Sequence, residues 1–301
     1  MRILVTGANG QLGRDVVITL AARGHEVIGS GRQPFFCGMT DLPSVRAIAY
    51  LSLDITEQTA VFEAVRKLRP DAVIHCAAWT AVDAAEDAAK TAHAVNSDGT
   101  RHLAEACREA HAKLLYVSTD YVFDGSGSTP RKPDGDPCGP LNVYGQTKLD
   151  GERAVRDTLE KFFIVRTAWV FGGSGKNFLR TMLDAGRTHG EVRVVNDQIG
   201  TPTYARDLAR LLADMIETEK YGCYHAVNEG GGVSRYELCR ELYRQAGIKT
   251  RVIPVTTSEF GAGKAVRPRN SVLDTSKLAE NGFAPLPDRK DALRRFLSEV
   301  L

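Results

Sequence analysis

RILVTGANGQLG, residues 2–13, decides the fold of this chain. A short apolar run leads into Gly7, Gly10 and Gly13, and residues 14–23 then carry apolar side chains at helical spacing. A strand, a glycine turn and a helix in this order are typical of a dinucleotide-binding loop. The glycines let the backbone approach a diphosphate, and the helix N-terminus behind them offers free N–H groups and a positive dipole end. The alternative is a plain tight turn.

Further strand and helix patterns follow along the first half of the chain. Apolar runs that predict strands occupy residues 25–30, 51–55, 72–78 and 113–117. Their alternation with helical patterns predicts an α/β fold, with a Rossmann-like doubly wound parallel sheet and a smaller α/β substrate-binding lobe. We expect the dinucleotide-binding domain to cover residues 1–170 plus about 200–228, and the lobe to cover about 171–199 plus 229–301.

A tyrosine and a lysine four residues apart are the first catalytic candidates. Tyr144 and Lys148 lie one turn apart on a predicted helix, so both side chains can face one pocket. A nearby ammonium lowers the tyrosine pKa from ~10, and a phenol tuned in this way gives a proton to a carbonyl oxygen. Thr119 ends a predicted strand, where its hydroxyl can hydrogen-bond a substrate carbonyl. An exposed helix start is the alternative reading of the pair.

Residues at the other strand ends suggest where a cofactor lies. Arg32 stands where an acidic residue would bind a ribose diol, so it favours NADPH, with NADH as the alternative; a solvated arginine is the other reading. Asp54 can accept from an adenine amino group or cap the following helix. Ala77 and Ala78 end a buried-type strand in small side chains, which leave space for a cofactor.

Four other residues keep two interpretations each. His75 is interpreted as a core histidine, with catalysis as the alternative. Asn96 interrupts a long helical pattern, where it either marks a kink that points a backbone carbonyl toward Lys148 or is simply solvated. Trp169 either packs on a sugar or thymine face or fills core. Arg269 lies in a basic turn and either holds a diphosphate or is solvated.

Composition excludes several classes of protein. A formal net charge of +2 gives no polyanion-binding surface, so we expect no nucleic acid partner. No apolar run approaches the ~20 residues of a membrane span, and the first strand leads directly into the glycine loop, which leaves no room for a signal peptide. The 6 cysteines are scattered, so neither a zinc site nor a disulfide framework is implied. These features predict a cytoplasmic protein without a membrane partner.

Longer motifs carry a resemblance along most of the chain. They are residues 7–13 (GANGQLG), 118–125 (STDYVFDG), 144–148 (YGQTK) followed by Gly151 and Glu152, 166–172 (RTAWVFG) and 196–203 (NDQIGTPT). With these motifs the chain resembles the extended short-chain dehydrogenase/reductase superfamily and, within it, the dTDP-4-dehydrorhamnose reductase family.

The resemblance implies an activity and a set of contacts. Thr119, Tyr144 and Lys148 would form the catalytic triad, and NADPH or NADH would reduce the 4-keto group of dTDP-4-dehydro-β-L-rhamnose. The implied cofactor contacts are Gly7, Asn9, Gly10, Gln11, Leu12, Gly13, Arg32, Asp54, Ile55, Ala77, Ala78, Tyr144 and Lys148. The implied contacts to a dTDP-sugar are Thr80, Val82, Asp83, Thr119, Asp120, Tyr121, Trp169 and Arg269. Some family members contain Mg²⁺ at a dimer contact, but the acidic residues are not clearly matched here and no metal ligand is assigned. The expected state is a monomer or a homodimer.

One departure separates reactions within the superfamily. Sugar-nucleotide dehydratases carry Thr-Asp-Glu where this chain has Thr119, Asp120 and Tyr121. The glutamate is the base that elimination needs, so its absence favours a reductase. Two alternatives remain: a sugar-nucleotide epimerase with tightly bound NAD⁺, and a non-catalytic regulatory subunit that binds NADP(H).

Overall fold

A seven-stranded parallel sheet forms the centre of the protein. The computed structural model describes residues 1–37, 48–261 and 263–301. The strand order is β11-β6-β5-β4-β1-β2-β3, and every neighbouring pair is parallel. The bounds are β1 Arg2–Thr6, β2 Glu26–Gly31, β3 Ala49–Ser52, β4 Ala72–His75, β5 Lys113–Thr119, β6 Phe162–Thr167 and β11 Gly222–His225. The predicted doubly wound parallel sheet is confirmed.

Continuous apolar runs explain why these segments are central strands. Residues 3–6 of β1 and all of β4 are buried, as expected for parallel strands that helices cover on both faces. The strand order reverses between β1 and β4, which creates a crevice at their carboxyl ends. The glycine loop follows β1 directly, so it lies at this crevice.

Helices cover both faces of the sheet. One face packs against Gln11–Ala22 and Ala205–Ile216, and the other against Gln58–Leu68, Gly99–Ala110 and Val143–Thr158. The remaining helices are Val82–Asp87, Ala89–His93, Phe178–Thr188, Arg235–Ala246, Thr257–Phe260, Ser276–Glu280 and Arg289–Val300. In the part of the chain that the structure describes, no helix is long and apolar enough to span a bilayer.

A π-helical turn, Ala94–Asp98, interrupts the helical stretch before Gly99–Ala110. The interruption predicted near residues 95–97 is therefore confirmed. A π-helical turn inserts one extra residue into a helix, and such turns occur frequently at functional sites.

A second apolar cluster lies beyond the main sheet. It contains Phe171, Leu183, Leu242 and Phe296, among others. Short strands accompany it: β7 Val170–Phe171, β8 Glu191–Val195, β9 Ile199–Gly200, β10 Thr203–Tyr204, β12 Asn228–Glu229, β13 Val233–Ser234, β14 Arg251–Val255 and β15 Leu286–Asp288. They pair as β7–β10, β8–β14, β9–β13 and β12–β15. The division into two domains stays a prediction.

A buried ion pair joins the main sheet's helices to the C-terminal helix. Asp207, which is fully buried, accepts two hydrogen bonds from Arg295 at 2.7 Å each. Asn228 donates to the same carboxylate at 2.9 Å and also accepts from the backbone N–H of Tyr204. Asp207 lies in the first turn of helix Ala205–Ile216, and its carboxylate anchors helix Arg289–Val300.

Candidate active site

A cleft of about 740 Å³ opens at the carboxyl ends of the central strands. The glycine loop and the ends of β2 and β3 line one part of it. The end of β5 and the start of helix Val143–Thr158 line the middle. Residues 167–179 and the start of helix Arg235–Ala246 close the far side. The predicted glycine loop, triad and lobe therefore share one cavity.

The glycine loop has the geometry that a diphosphate requires. Gly7 has φ +68°, and a Cβ there would lie 2.6 Å from the backbone N of Ala77, so a side chain is excluded. Gly10 stands at the N-cap of helix Gln11–Ala22 and provides no side-chain cap. The first N–H groups of this helix therefore lack a side-chain acceptor and face the cleft, which fits a phosphate group.

Asn9 binds the backbone of the segment that follows β2. Its side chain donates to the Phe35 carbonyl at 2.9 Å and accepts from the Cys37 backbone N–H at 2.7 Å. Arg32 and Asp54 also line the cleft here. The other predicted cofactor contacts that line it are Gln11, Leu12, Gly13, Ile55, Ala77 and Ala78.

Helix Val143–Thr158 presents the predicted catalytic pair. Asn142 caps it by accepting from the Gly145 backbone N–H at 2.8 Å. A Cβ at Gly145 would lie 2.2 Å from the Tyr121 carbonyl oxygen, so glycine permits the helix to approach the end of β5. Tyr144 and Lys148 consequently line the same cleft as Thr119.

Lys148 lies in a buried site beside the strand end. Its Nζ donates to the Val117 carbonyl at 2.8 Å and lies 4.1 Å from the centroid of the Tyr116 ring. Burial lowers the pKa of this ammonium to about 7, and the nearby Glu152 carboxylate opposes the shift. The lysine therefore titrates in the physiological range.

The expected effect of Lys148 on the tyrosine is wrong. Burial raises the pKa of the Tyr144 phenol above its ordinary value, and the Thr119 hydroxyl opposes only part of that rise. The ammonium of Lys148 bonds to Val117 and faces Tyr116 instead. Tyr144 is therefore a neutral phenol at pH 7, which is the protonation state of a proton donor.

Asn96 clamps the loop at the cleft mouth to the catalytic helix. Its amide accepts from the Trp79 backbone N–H at 2.8 Å and donates to the Trp79 carbonyl at 3.1 Å. It also donates to Thr147 Oγ1 at 3.0 Å. Asn96 is buried, so the solvated interpretation is wrong. Its backbone carbonyl accepts from Thr100 Oγ1 at 2.7 Å, and the orientation of this carbonyl toward Lys148 stays a prediction.

A buried carboxyl group lies beside the triad threonine. Asp120 Oδ1 accepts from Thr119 Oγ1 at 3.0 Å. Asp120 Oδ2 is buried without a hydrogen-bond partner among the residues that the structure describes. Burial raises the pKa of this carboxyl to about 6. Tyr121 packs edge-on against Tyr144, with ring centroids 5.6 Å apart. Asp120 and Tyr121 line the cleft, as do Thr80 and Val82.

Trp169 adopts a rare backbone conformation at the cleft wall. Its φ is +45°, which is unusual for a residue with a side chain. A Cβ at Gly200 would lie 2.5 Å from the indole, so the glycine makes room for it. The Arg235 guanidinium carbon lies 4.1 Å from the indole centroid. Trp169 therefore belongs to the cleft, and arginine covers one of its faces.

Two predicted substrate contacts do not line the cleft. Asp83 accepts from both terminal nitrogens of Arg267, at 3.0 Å and 2.6 Å, and from the Ala265 backbone N–H. Arg269 is exposed, and its carbonyl accepts from the Ile199 backbone N–H. Contacts with Arg267 and Ala265 hold the Asp83 side chain outside the cleft lining, whereas the Arg269 side chain is exposed. That these two side chains contact substrate stays a prediction.

His75 is a core residue, as interpreted from the sequence. It is fully buried, and its ring nitrogens contact Thr6 Oγ1 at 2.7 Å and Thr100 Oγ1 at 3.1 Å. Burial lowers the pKa of this imidazole to about 3. A histidine held neutral by its surroundings serves the packing of β4 here.

Some cleft residues were missed. Lys176, Asn177 and Phe178 reach the cleft from the start of helix Phe178–Thr188, and Arg235 reaches it from its own helix. The sequence did carry a signal for Arg235. An arginine directly after the cap Ser234 places a cation at the positive end of a helix, which is unfavourable unless a partner compensates.

The residues present do not fit a metal ion. Within residues 1–37, 48–261 and 263–301, no group of three or more His, Cys, Asp or Glu side chains is arranged to hold one.

Known proteins resemble this chain over its whole length. A family model described as RmlD substrate binding domain matches residues 1–301. The dTDP-4-dehydrorhamnose reductase of Streptomyces griseus is 44% identical over 298 residues, covering 97% of this chain and 91% of that protein. A probable dTDP-4,6-dihydroxy-2-methyloxan-3-one 4-ketoreductase of Streptomyces antibioticus is 38% identical over 304 residues, covering 100% and 96%. The crystal structure of the Bacillus anthracis dTDP-4-dehydrorhamnose reductase in complex with NADP matches with a TM-score of 0.89 at 38% identity, covering 99% of each chain.

Proposed function

This chain belongs to the RmlD substrate binding domain family of dTDP-4-dehydrorhamnose reductases, and we propose that it reduces the 4-keto group of dTDP-4-dehydro-β-L-rhamnose with NADPH. The product is dTDP-β-L-rhamnose. One observation carries the proposal: Thr119, Tyr144 and Lys148 line the same cleft as an uncapped helix N-terminus behind a glycine loop. A hydride source and a proton source are thereby brought to one carbonyl group.

The residues of the triad have separate tasks in this reaction. Bound NADPH supplies the hydride that reaches the sugar C4. Tyr144, a neutral phenol, donates the proton to the carbonyl oxygen as negative charge develops there. Thr119 hydrogen-bonds the same oxygen, which stabilises the developing charge. Lys148 holds the nicotinamide ribose and supplies positive charge below a pH of about 7.

NADPH is preferred in this proposal because of the charge at the end of β2. Arg32 lines the cleft directly after Gly31, where an acidic side chain would repel a 2′-phosphate. The Bacillus anthracis relative binds NADP. Replacing Arg32 with glutamate tests the preference, because kcat/KM should then fall for NADPH and hold or rise for NADH.

The identity of the ketosugar is tested with several substrates. The Streptomyces antibioticus relative is described as a reductase of a different dTDP-ketosugar, so a small panel of dTDP-4-ketosugars belongs in the assay. We also propose a cytoplasmic location, supported by 6 free thiols, which are typical of a reducing compartment. A monomer or a homodimer stays a prediction.

The deciding experiment follows NADPH absorbance with enzymatically generated dTDP-4-dehydro-L-rhamnose. We expect rapid oxidation that depends on the ketosugar, with dTDP-L-rhamnose as the product. Two outcomes would redirect the assignment. An epimerase would purify with NAD⁺ and consume no NADPH, and a regulatory subunit would bind NADPH in a thermal-shift assay while converting no ketosugar.

A further inference from the structure

A half-buried arginine faces the substrate end of the cleft. Arg235 lines the cavity, with its guanidinium carbon 4.1 Å from the Trp169 ring centroid and 5.2 Å from that of Phe178. Two aromatic rings therefore fix the plane of the guanidinium. This arrangement presents its N–H donors to the cavity in a defined direction.

No carboxylate forms an ion pair with Arg235 in the described part of the chain. Other partly buried arginines there do form one, namely Arg131, Arg166, Arg267 and Arg295. The Tyr121 phenol and the Asp120 carboxyl lie close enough to act on the charge of Arg235. Arg235 is the first residue of its helix, so the positive helix end adds to its own charge. A partly desolvated cation of this kind is costly unless an anion joins it.

Two other cations of the cleft lie beside predicted cofactor contacts, whereas Lys176 lies on the far side, just before helix Phe178–Thr188. Arg32 lies at the adenosine end, the uncapped helix N-terminus faces a diphosphate, and Lys148 serves the nicotinamide ribose. Arg235 lies near Asp120 and Tyr121, and the Tyr121 ring packs edge-on against Tyr144. Its anion is therefore expected to belong to the second ligand.

We propose that Arg235 binds the sugar-linked phosphate of the nucleoside diphosphate sugar, through paired N–H donors aligned by Trp169 and Phe178. This inference rests on the proposed function, in which the substrate carries a diphosphate. The sugar-linked phosphate is chosen because Asp120 and Tyr121 adjoin Thr119 and Tyr144, where the ketone is held. The phosphate next to the sugar ring is the one within reach of that place.

The experiment measures equilibrium binding of dTDP and dTMP to the NADP⁺-loaded protein by calorimetry. Arg235→Gln removes the charge, and Arg235→Lys keeps the charge but loses the planar fork. Arg240→Gln is the matched control, because Arg240 lies on the same helix, is exposed and also contacts an aromatic ring, that of Tyr236.

We expect Arg235→Gln to weaken dTDP binding about 10- to 100-fold, the range for charge-assisted hydrogen bonds. Binding of dTMP, which lacks the second phosphate, should change less than about threefold, as should dTDP binding to Arg240→Gln. The dTDP affinity of Arg235→Lys should lie between those of wild type and Arg235→Gln. The lysine variant serves as the test if the glutamine variant does not fold.

Unchanged dTDP affinity in the folded Arg235 variants would overturn the inference, and so would equal losses for dTDP and dTMP. Equal losses would mean that the arginine supports the packing of Trp169 instead. Turnover of the ketosugar is a separate measurement. Arg235-dependent dTDP binding without reduction would refute the ketoreductase proposal alone, whereas reduction with Arg235-independent dTDP binding would refute this inference alone.

Discussion

Glu152 and Arg166 form a buried bidentate ion pair directly behind the catalytic wall. Arg166 Nε donates to Glu152 Oε1 at 2.8 Å and Nη2 donates to Oε2 at 2.7 Å, and both side chains are at most 3% exposed. Ser118 Oγ donates to the same carboxylate at 2.6 Å. The pair therefore ties helix Val143–Thr158 to the ends of β5 and β6, which carry Thr119 and line the cleft.

Glu152→Gln should destabilise the fold strongly. Removing one partner leaves the Arg166 guanidinium buried beside a neutral amide, and breaking such a pair costs about 3–5 kcal/mol. Urea denaturation followed by circular dichroism measures the free energy of unfolding. Glu109→Gln is the control, because its pair with Arg66 is more than half exposed on both sides and should contribute at most about 1 kcal/mol. Equal losses in the free energy of unfolding of the two variants would contradict the role of the Glu152–Arg166 pair in stabilising the fold.

Lys148→Met should stabilise the protein at neutral pH while abolishing activity. Burial lowers the pKa of Lys148 from 10.5 to about 7. The unfolded chain therefore binds the lysine proton more tightly than the folded protein does, and keeping the ammonium charged lowers the free energy of unfolding. That cost is fully present below pH 7 and is relieved as the pH rises from about 7 to 10.5. We expect a gain of about 1–2 kcal/mol at pH 7.

The pH dependence distinguishes this effect from a change in packing. The free energy of unfolding in urea is measured for wild type and for Lys148→Met at pH 7 and at pH 9.5. The difference between the two proteins at one pH is then compared with the difference at the other. The titration predicts a smaller difference at the higher pH. A difference that stays constant would show that the methionine acts through packing alone.

Tyr144→Phe should reduce turnover about 10²- to 10⁴-fold, because it removes the positioned proton donor. Binding of NADPH should be largely kept, which shows that the cleft is intact. Tyr221→Phe is the matched control, since its hydroxyl is buried without a partner in the described residues and lies away from the cleft wall. Unimpaired turnover in Tyr144→Phe would refute the assigned proton donor.

Asp83→Asn should loosen the segment that follows residue 263. The Asp83 carboxylate holds Arg267 and the Ala265 backbone N–H, so its neutralisation weakens three hydrogen bonds. We expect hydrogen exchange at Ala265 to accelerate about tenfold. Asp87→Asn, on the same helix, breaks only an exposed pair with Lys264 and should change exchange less than about threefold. Similar acceleration in both variants would contradict this anchoring role.

Local patterns predicted the central strands and the meeting of Thr119, Tyr144 and Lys148 in one cleft, because each signal lay within one segment. The spacing of Gly7, Gly10 and Gly13 and the step from Tyr144 to Lys148 describe single turns of backbone. Parallel strands then bring their carboxyl ends together whatever the loops contain. The catalytic cleft followed from these two facts.

The features that the sequence did not predict are contacts that no local pattern contains. Asp83 meets Arg267 from 184 residues away. Arg235 reaches the cleft from a helix that the chain adds after the main sheet is complete. The pKa of Tyr144 depends first on burial and then on Thr119, Asp120 and Tyr121, so the spacing of Tyr144 and Lys148 predicted their position but not the direction of the pKa shift.

The position of Trp169 has a consequence for observing the protein. The chain has 2 tryptophans, Trp79 and Trp169, and both line the cleft. Asn96 clamps the first through its backbone, and Arg235 covers the second. Ultraviolet-excited emission from the indoles therefore originates entirely at the walls of the cleft. Ligand occupancy can be followed optically without a label, and replacing either tryptophan with phenylalanine separates the signal of the mouth from that of the far wall.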